Sequence, residues 1–510
     1  MRRRELFSLL AAPAFVRSET IRPCAAQGVM IGDVVPGRAM VWSRSDRPAR
    51  MIVEYSTTES FRSPLRIRGP HAIEVNDFTS RVDLTGLPPD QEIFCRVSFE
   101  SLEDLKTLSE PVTARFRTPP AARRNVKFVW SGDTAGQGWG INPEWGGMRG
   151  YEAMRLRNPD FFLHSGDTIY ADSPVRAEVK LPDGSVWKNI VTEAKSKPAE
   201  TLAEFRGNYL YNLLDKNVLR FNSEVPQIWQ WDDHEVMNNW SPGKDLSANP
   251  LYTEKHIGIL AARAGRAFLE YAPLRSSEAD SERVYRRIPY GPLLDVFVID
   301  MRSYRAANTW NRQPEPGPET EYLGRPQLKW LEEGLAASRA TWKIIASDMP
   351  IGLVVSDGKD AQGRTVFENS SNGDGPPLGR EFEIASLLRG LKRGKVKNVI
   401  WLTTDTHYTS ANYYNPAKAQ FTDFDPFWEF ISGPIHAGTF GPNETDNTFG
   451  IEVIYSKHPP KGQENLPPSA GMQFFGEVEI EGKSGELTVR LLDIAGTGLF
   501  EKRLAPVVRA

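Results

Sequence analysis

The sequence predicts an α/β (α+β) unit preceded by a small β-sandwich, and three observations carry that prediction. Residues 27–118 alternate apolar and polar side chains with the two-residue period of strands. After Thr118-Pro119-Pro120 the pattern changes to short apolar runs that end in polar turns, with helical stretches between them. At 510 residues the chain exceeds what one hydrophobic core usually supports. The boundaries expected are 22–118 for the sandwich and 124–505 for the larger unit.

The chain opens on Arg2, Arg3 and Arg4 before an apolar run from Leu6 to Phe15 that is too short to span a bilayer. Residues 1–20 therefore predict a twin-arginine type export signal, with Ala12-Pro13-Ala14 as a small-residue cleavage pattern. The expected partner is the twin-arginine export machinery and the expected location periplasmic or extracellular; a frayed N-terminal helix on a cytosolic protein is the alternative. No other segment approaches 18 uninterrupted apolar residues, so no transmembrane anchor is expected. A formal net charge of -3 gives no electrostatic argument for a nucleic-acid-binding surface. Cys24 and Cys95 could pair after export, but two cysteines make no disulfide scaffold and argue against zinc held by thiolates. Oligomeric state is not legible.

Strands are expected at 39–43, 51–55, 80–84, 93–97 and 114–118, punctuated by Pro-Gly and Gly-Leu-Pro-Pro turns. Leu84-Thr85-Gly86-Leu87-Pro88-Pro89 resembles the strand-to-turn segment of fibronectin type III domains. Beyond the linker, apolar strands at 126–130, 161–164, 225–230, 295–299, 342–346 and 399–402 each end in a polar turn. Those turns should share one edge, the carboxyl-terminal edge where α/β folds bind ligands. Helices are expected at 150–158 and 327–338, and a closing hairpin at 472–480 and 486–493. The stretches 172–224, 352–380 and 411–470 are expected as surface loops that set access to the site.

Hydrolysis of a phosphoester with metals needs a carboxylate bridging two cations, further oxygen or imidazole ligands, and a cation-bound hydroxide aligned with phosphorus. Asp167 is the candidate bridge: it follows a strand and Gly166, whose missing side chain would let a cation approach closely. Asp133, in Ser131-Gly132-Asp133, would ligate one metal from the neighbouring strand end. Tyr170 either packs over the strand end or ligates, and a phenolate asks for a strongly acidic metal such as ferric iron. Asp232-Asp233-His234-Glu235 packs three carboxylates and an imidazole together, a density that is costly unless cations compensate it. Asp233 is the favoured ligand, and His234 either ligates, stabilises the transition state or protonates the leaving oxygen. Asp405 and His407, two residues apart, would point the same way in extended chain and suit one metal. Arg302 either grips phosphate oxygens in bidentate fashion or pairs structurally with Asp300. Asn238 and Asn239 are possible supporting donors, and His436 could line the cleft.

Taken in order, Ser131-Gly132-Asp133, Gly166-Asp167-Thr168-Ile169-Tyr170, Trp231-Asp232-Asp233-His234-Glu235, Asp300-Met301-Arg302-Ser303-Tyr304-Arg305 and Asp405-Thr406-His407 resemble the alkaline phosphatase D (PhoD-like) family. The resemblance spans essentially the whole chain. It implies a four-layer metallophosphatase fold of two mixed sheets between helices, and an exported enzyme releasing phosphate from monoesters and diesters. It further implies ferric iron with calcium, the iron held partly by a tyrosinate that here would be Tyr170. The sequence departs where the family's best-described bacterial members supply a cysteine thiolate to iron: Ser131-Gly132-Asp133 has none, and Asp133 would substitute. The rival reading is an exported binding or cell-envelope protein that keeps the fold without catalysis.

Overall fold

A computed structural model describes residues 22–277 and 279–507. The twin-arginine segment lies outside the described residues, and no described helix is long and apolar enough to cross a membrane. The apolar runs after the linker become two sheets stacked face to face. Val126–Ser131, Phe161–Ser165 and Gln227–Gln230 run parallel in a nine-stranded sheet. Leu294–Val298, Trp342–Ala346 and Val399–Thr403 run parallel in a seven-stranded sheet. The six strands expected along one edge thus divide three and three, and it is the two edges together that face the site.

Strand alternation decides the layering. Phe128, Trp130, Leu163 and Ile228 from one sheet meet Val296, Ile344 and Ile400 from the other in a shared buried core. The opposite faces bury Val129 and Phe162 under the helices Arg149–Leu156, Leu202–Asn212, Lys216–Glu224 and Ile257–Tyr271. On the far side Phe297, Ile345 and Trp401 lie under Arg325–Ala337 and Glu381–Arg393. The result is the four-layer α/β/β/α order that the resemblance implies.

The sandwich forms from a four-stranded sheet, Leu65–Ala72, Ala49–Ser56, Glu92–Ser101 and Val112–Arg117, packed on Val29–Val35, Arg38–Arg44 and Thr79–Thr85. Val29–Val35 also pairs in parallel with Gln227–Gln230, so one face of the sandwich is a continuation of the nine-stranded sheet. Cys24 is exposed and Cys95 buried, and both are free.

The expected loops are more structured than their composition suggests. The stretch 411–470 contributes Phe427–Ile431 and Ile451–Lys457, and Thr409–Tyr414 pairs between them in the seven-stranded sheet. Glycine and proline around these strands mask short runs such as Phe427-Trp428-Glu429-Phe430-Ile431. The stretch 352–380 carries a hairpin of Ser356–Lys359 and Thr365–Phe367, and 172–224 contains two of the covering helices. The closing hairpin forms as expected from Phe474–Ile480 and Leu487–Asp493.

Candidate metal centre

Each acidic turn begins where a parallel strand stops, and several of its residues adopt left-handed backbone. Asp133 (φ 67°), Asp167 (φ 51°), Asp405 (φ 64°) and His407 (φ 59°) all lie in a region that non-glycine residues seldom occupy and that recurs at functional sites. Gly166, at φ 99°, is needed for packing against protein: a Cβ there would meet the Asp232 Cβ at 2.5 Å. Its missing side chain therefore lets the Asp167 and Asp232 turns touch.

Glu235 joins those turns. Its buried carboxylate accepts the backbone N–H groups of Asp167 (3.2 Å), Thr168 (2.6 Å) and Asp232 (2.8 Å), and the Thr168 hydroxyl (2.6 Å). His234 closes the assembly by donating its backbone N–H to Asp167 Oδ1 at 3.1 Å.

Three overlapping groups result, in each of which the potential ligand atoms all lie within 4.8 Å of one another. They are Asp133, Asp167 and His407; Asp167, Asp233 and His234; and Asp232, Asp233 and Asp405. Asp167 belongs to the first two and Asp233 to the last two, so each could serve neighbouring cations. Tyr170 joins the first group by donating its hydroxyl hydrogen to His407 Nε2 at 2.7 Å. The tautomer of His407 follows from its other nitrogen: Nδ1 faces the Gly438 carbonyl, which can only accept. Nε2 is therefore bare and able to ligate. Burial pushes the His407 pKa down to about 4, which keeps it neutral.

The donor set fits cations on a second count. Asp133 Oδ2, Asp232 Oδ2 and Asp233 Oδ1 are buried with no hydrogen-bond partner among the described residues. Without a cation, burial pushes Asp133 up to about 8, and burial with neighbouring carboxylates holds Asp167 and Asp405 well above the usual range. Carboxyls so placed are stable as anions only beside compensating positive charge. Burial also presses on Asp233, yet His234 and Arg302 hold it below its ordinary value. His234 itself is drawn well above its ordinary value, since Asp172, Asp233 and Asp167 outweigh its burial.

The structure brings Asp133, Asp167, Tyr170, Asp233, His234, Asp405 and His407 together at one place. Asp405 and His407 do so in a different way from that expected. The backbone turns instead of running extended, and the pair falls into separate groups at opposite ends of the row. Arg302 is not placed to grip phosphate. Its guanidinium is 0% exposed and donates to Asp232 (2.7 Å), Asp348 (3.1 Å) and Glu368. Nor does it pair with the Asp300 side chain through that guanidinium; Asp300 accepts the Arg302 backbone N–H and caps the turn. Arg302 thus stands behind the ligands as a buried counter-charge. His436 is buried against Trp145 and Trp187, with its Nε2 on the Gly140 carbonyl.

A cleft of about 510 Å³ opens over the groups and is lined in part by Asp167, Asp233, His234, Asp405, His407 and Phe440. Asn238 and Asn239 line it too, and their backbone N–H groups reach Asp172 Oδ2 (2.8 Å) and Asp233 Oδ2. Sequence reasoning missed Asp172, whose Oδ1 accepts from His234 Nδ1 at 2.7 Å. Its signal was available, two residues beyond Tyr170 in the same motif. It also missed Asp348, which sits at a strand end like the others, and Glu368, which follows the three-residue hairpin strand Thr365–Phe367, too short to give a clear apolar run.

Comparison with known proteins identifies the family and the fold. A family model described as PhoD-like phosphatase matches residues 128–491, and one described as PhoD-like phosphatase, N-terminal domain, matches residues 10–120. Alkaline phosphatase D of Bacillus subtilis (strain 168) is 25% identical over 458 residues, spanning 85% of this chain and 72% of that protein. A solved structure of PhoD is similar with a TM-score of 0.67 at 19% identity, covering 95% of this chain and 92% of that one. Purple acid phosphatase PPD1 from yellow lupin (Lupinus luteus) seeds is similar with a TM-score of 0.56 at 12% identity, covering 95% and 74%. At these identities the solved structures speak for the fold.

Proposed function

The chain belongs to the PhoD-like phosphatase family and is a phosphoesterase, and from that premise we propose that it hydrolyses phosphate monoesters and diesters with the help of bound cations. The observation that carries the metal dependence is the row of three ligand groups sharing Asp167 and Asp233 at the floor of one cleft. Asp133, Asp167, Tyr170 and His407 would hold the cation at one end, where a phenol favours ferric iron. Asp232, Asp233 and Asp405 offer only oxygen, which favours calcium or another hard cation at the other end. When bound, the cations supply Lewis-acid activation of water and charge neutralisation on the phosphoryl oxygens.

The chain's own residues do the rest. Asp172 accepts from His234 Nδ1, and with Asp233 and Asp167 it outweighs burial and keeps the ring cationic, so Nε2 on the opposite edge also carries a proton that can pass to the leaving oxygen. The Tyr170 ring lies against that imidazole with centroids 4.2 Å apart and restrains its tilt. Glu235 fixes the spacing of the two turns that carry Asp167 and Asp233. Arg302 lets Asp232, Asp348 and Glu368 coexist beneath them.

Phosphate release from an aryl phosphate, measured with Asp167→Ala beside the parent, tests the reading; activity near the parent's would refute the bridging role. Metal analysis of the purified protein should find iron together with calcium, and ligation by Tyr170 should give a visible charge-transfer band lost in Tyr170→Phe. Export through the twin-arginine route is proposed from Arg2 to Arg4 and the short apolar run. Replacing the arginine pair with lysine should retain the protein inside the cell.

A further inference from the structure

Phosphate esters are anions, yet among the described residues no lysine or arginine lines the cleft; Glu464 stands in it instead. That carboxylate is exposed and has no ion-pair or hydrogen-bond partner among the described residues. Its position is built. The next residue, Asn465, adopts φ 53° and is pinned at both ends of its amide: Oδ1 accepts from Trp139 Nε1 at 2.7 Å, and Nδ2 donates to the Gln137 carbonyl at 3.3 Å. Its backbone N–H donates to the Thr439 carbonyl at 2.7 Å. That last bond seats Glu464 beside the segment carrying Phe440, which lines the same cleft half-buried, edge-on to His407 at 5.4 Å between centroids.

A carboxylate and an aromatic ring that line one cleft disfavour an anionic ester of a neutral alcohol and attract a cation, through charge and through the ring's quadrupole. We propose that this corner of the cleft is a subsite for a cationic amine carried by the alcohol part of the substrate. The preferred substrates are then phosphoesters of amino alcohols, quaternary ammonium alcohols included. The inference rests on the phosphoesterase reading above and deepens it.

The test compares 4-nitrophenyl phosphocholine with its carbon isostere, 4-nitrophenyl 3,3-dimethylbutyl phosphate, which differ in replacing the ammonium nitrogen by carbon. With the metal-loaded full chain, kcat/KM should favour the choline ester about tenfold, the size expected of one ion pair together with one cation–π contact. Glu464→Gln should bring that ratio toward one, Glu464→Lys should invert it, and Phe440→Leu should lower it part of the way. A parent ratio of one or less overturns the proposal, as does a ratio that survives both Glu464 substitutions. If the diesters resist, the same ratio is read from phosphate release on phosphocholine and 3,3-dimethylbutyl phosphate. Failure to hydrolyse any of the four overturns the phosphoesterase reading, and the subsite falls with it.

Discussion

Replacing Glu235 by glutamine tests whether the centre is held together by a carboxylate that touches no cation. The side chain is isosteric, so packing is kept and only hydrogen bonding and charge change. Glu235 accepts four hydrogen bonds, two on each oxygen: the Asp167 and Asp232 N–H groups on Oε2, the Thr168 N–H and hydroxyl on Oε1. Glutamine keeps one acceptor oxygen and turns an NH2 toward the other pair. The arrangement of least cost keeps the oxygen on Asp167 and Asp232 and lets the Thr168 hydroxyl rotate to accept, leaving the buried Thr168 N–H without a partner. An orphaned buried donor costs roughly 1–3 kcal/mol, and loss of charge from the remaining bonds adds about 1–2 kcal/mol, so the expected destabilisation is about 3 kcal/mol. Urea unfolding of the chelated protein, parent beside variant, reads this as a lower midpoint at similar slope. The variant should also bind metal less tightly and lose at least tenfold in kcat, since the Asp167 and Asp233 turns are no longer tied. A midpoint, metal content and kcat equal to the parent's would refute the idea that Glu235 joins these turns.

Asp172→Ala should lower kcat roughly 100-fold on alkyl phosphates and far less on 4-nitrophenyl phosphate, because a good leaving group needs no proton; an equal loss on both would separate Asp172 from proton donation. Arg302→Met strands Asp232, Asp348 and Glu368 without their buried cation and should cost about 3–5 kcal/mol in denaturant unfolding. Complete chelation should lower the thermal midpoint and re-addition of cations restore it, as binding to the folded state alone requires; an unmoved midpoint would contradict the fit of orphaned carboxylate oxygens to cations. Away from the centre, burial and then Asp446 push Glu381 up to about 9 from an ordinary 4.5. The folded state then holds more protons than the unfolded state between those values, so this group's contribution lowers stability as pH rises from 4.5 to about 9. Glu381→Gln should flatten that decline, and a slope against pH identical to the parent's would exclude it.

The strands themselves were legible as apolar runs, but Val126–Ser131 and Leu294–Val298 are buried on nearly every residue, so their division between two sheets could not be read from them, and the four-layer order came from the family resemblance. The sequence by itself determined the chemistry on offer at the strand ends, since Asp133, Asp167, Asp233 and His407 follow apolar runs directly. It read less well where glycine and proline surround short strands, as at Phe427–Ile431, whose place comes from pairing with Val399–Thr403 and Thr409–Tyr414. Only the tertiary structure decided who partners whom. The i to i+2 parity expected of Asp405 and His407 fails because left-handed backbone turns them apart. Arg302 became a buried counter-charge because Asp232, Asp348 and Glu368, from distant parts of the chain, converge on it. Partnership of that kind depends on distances set when two sheets stack, and spacing along the chain contains no measure of them.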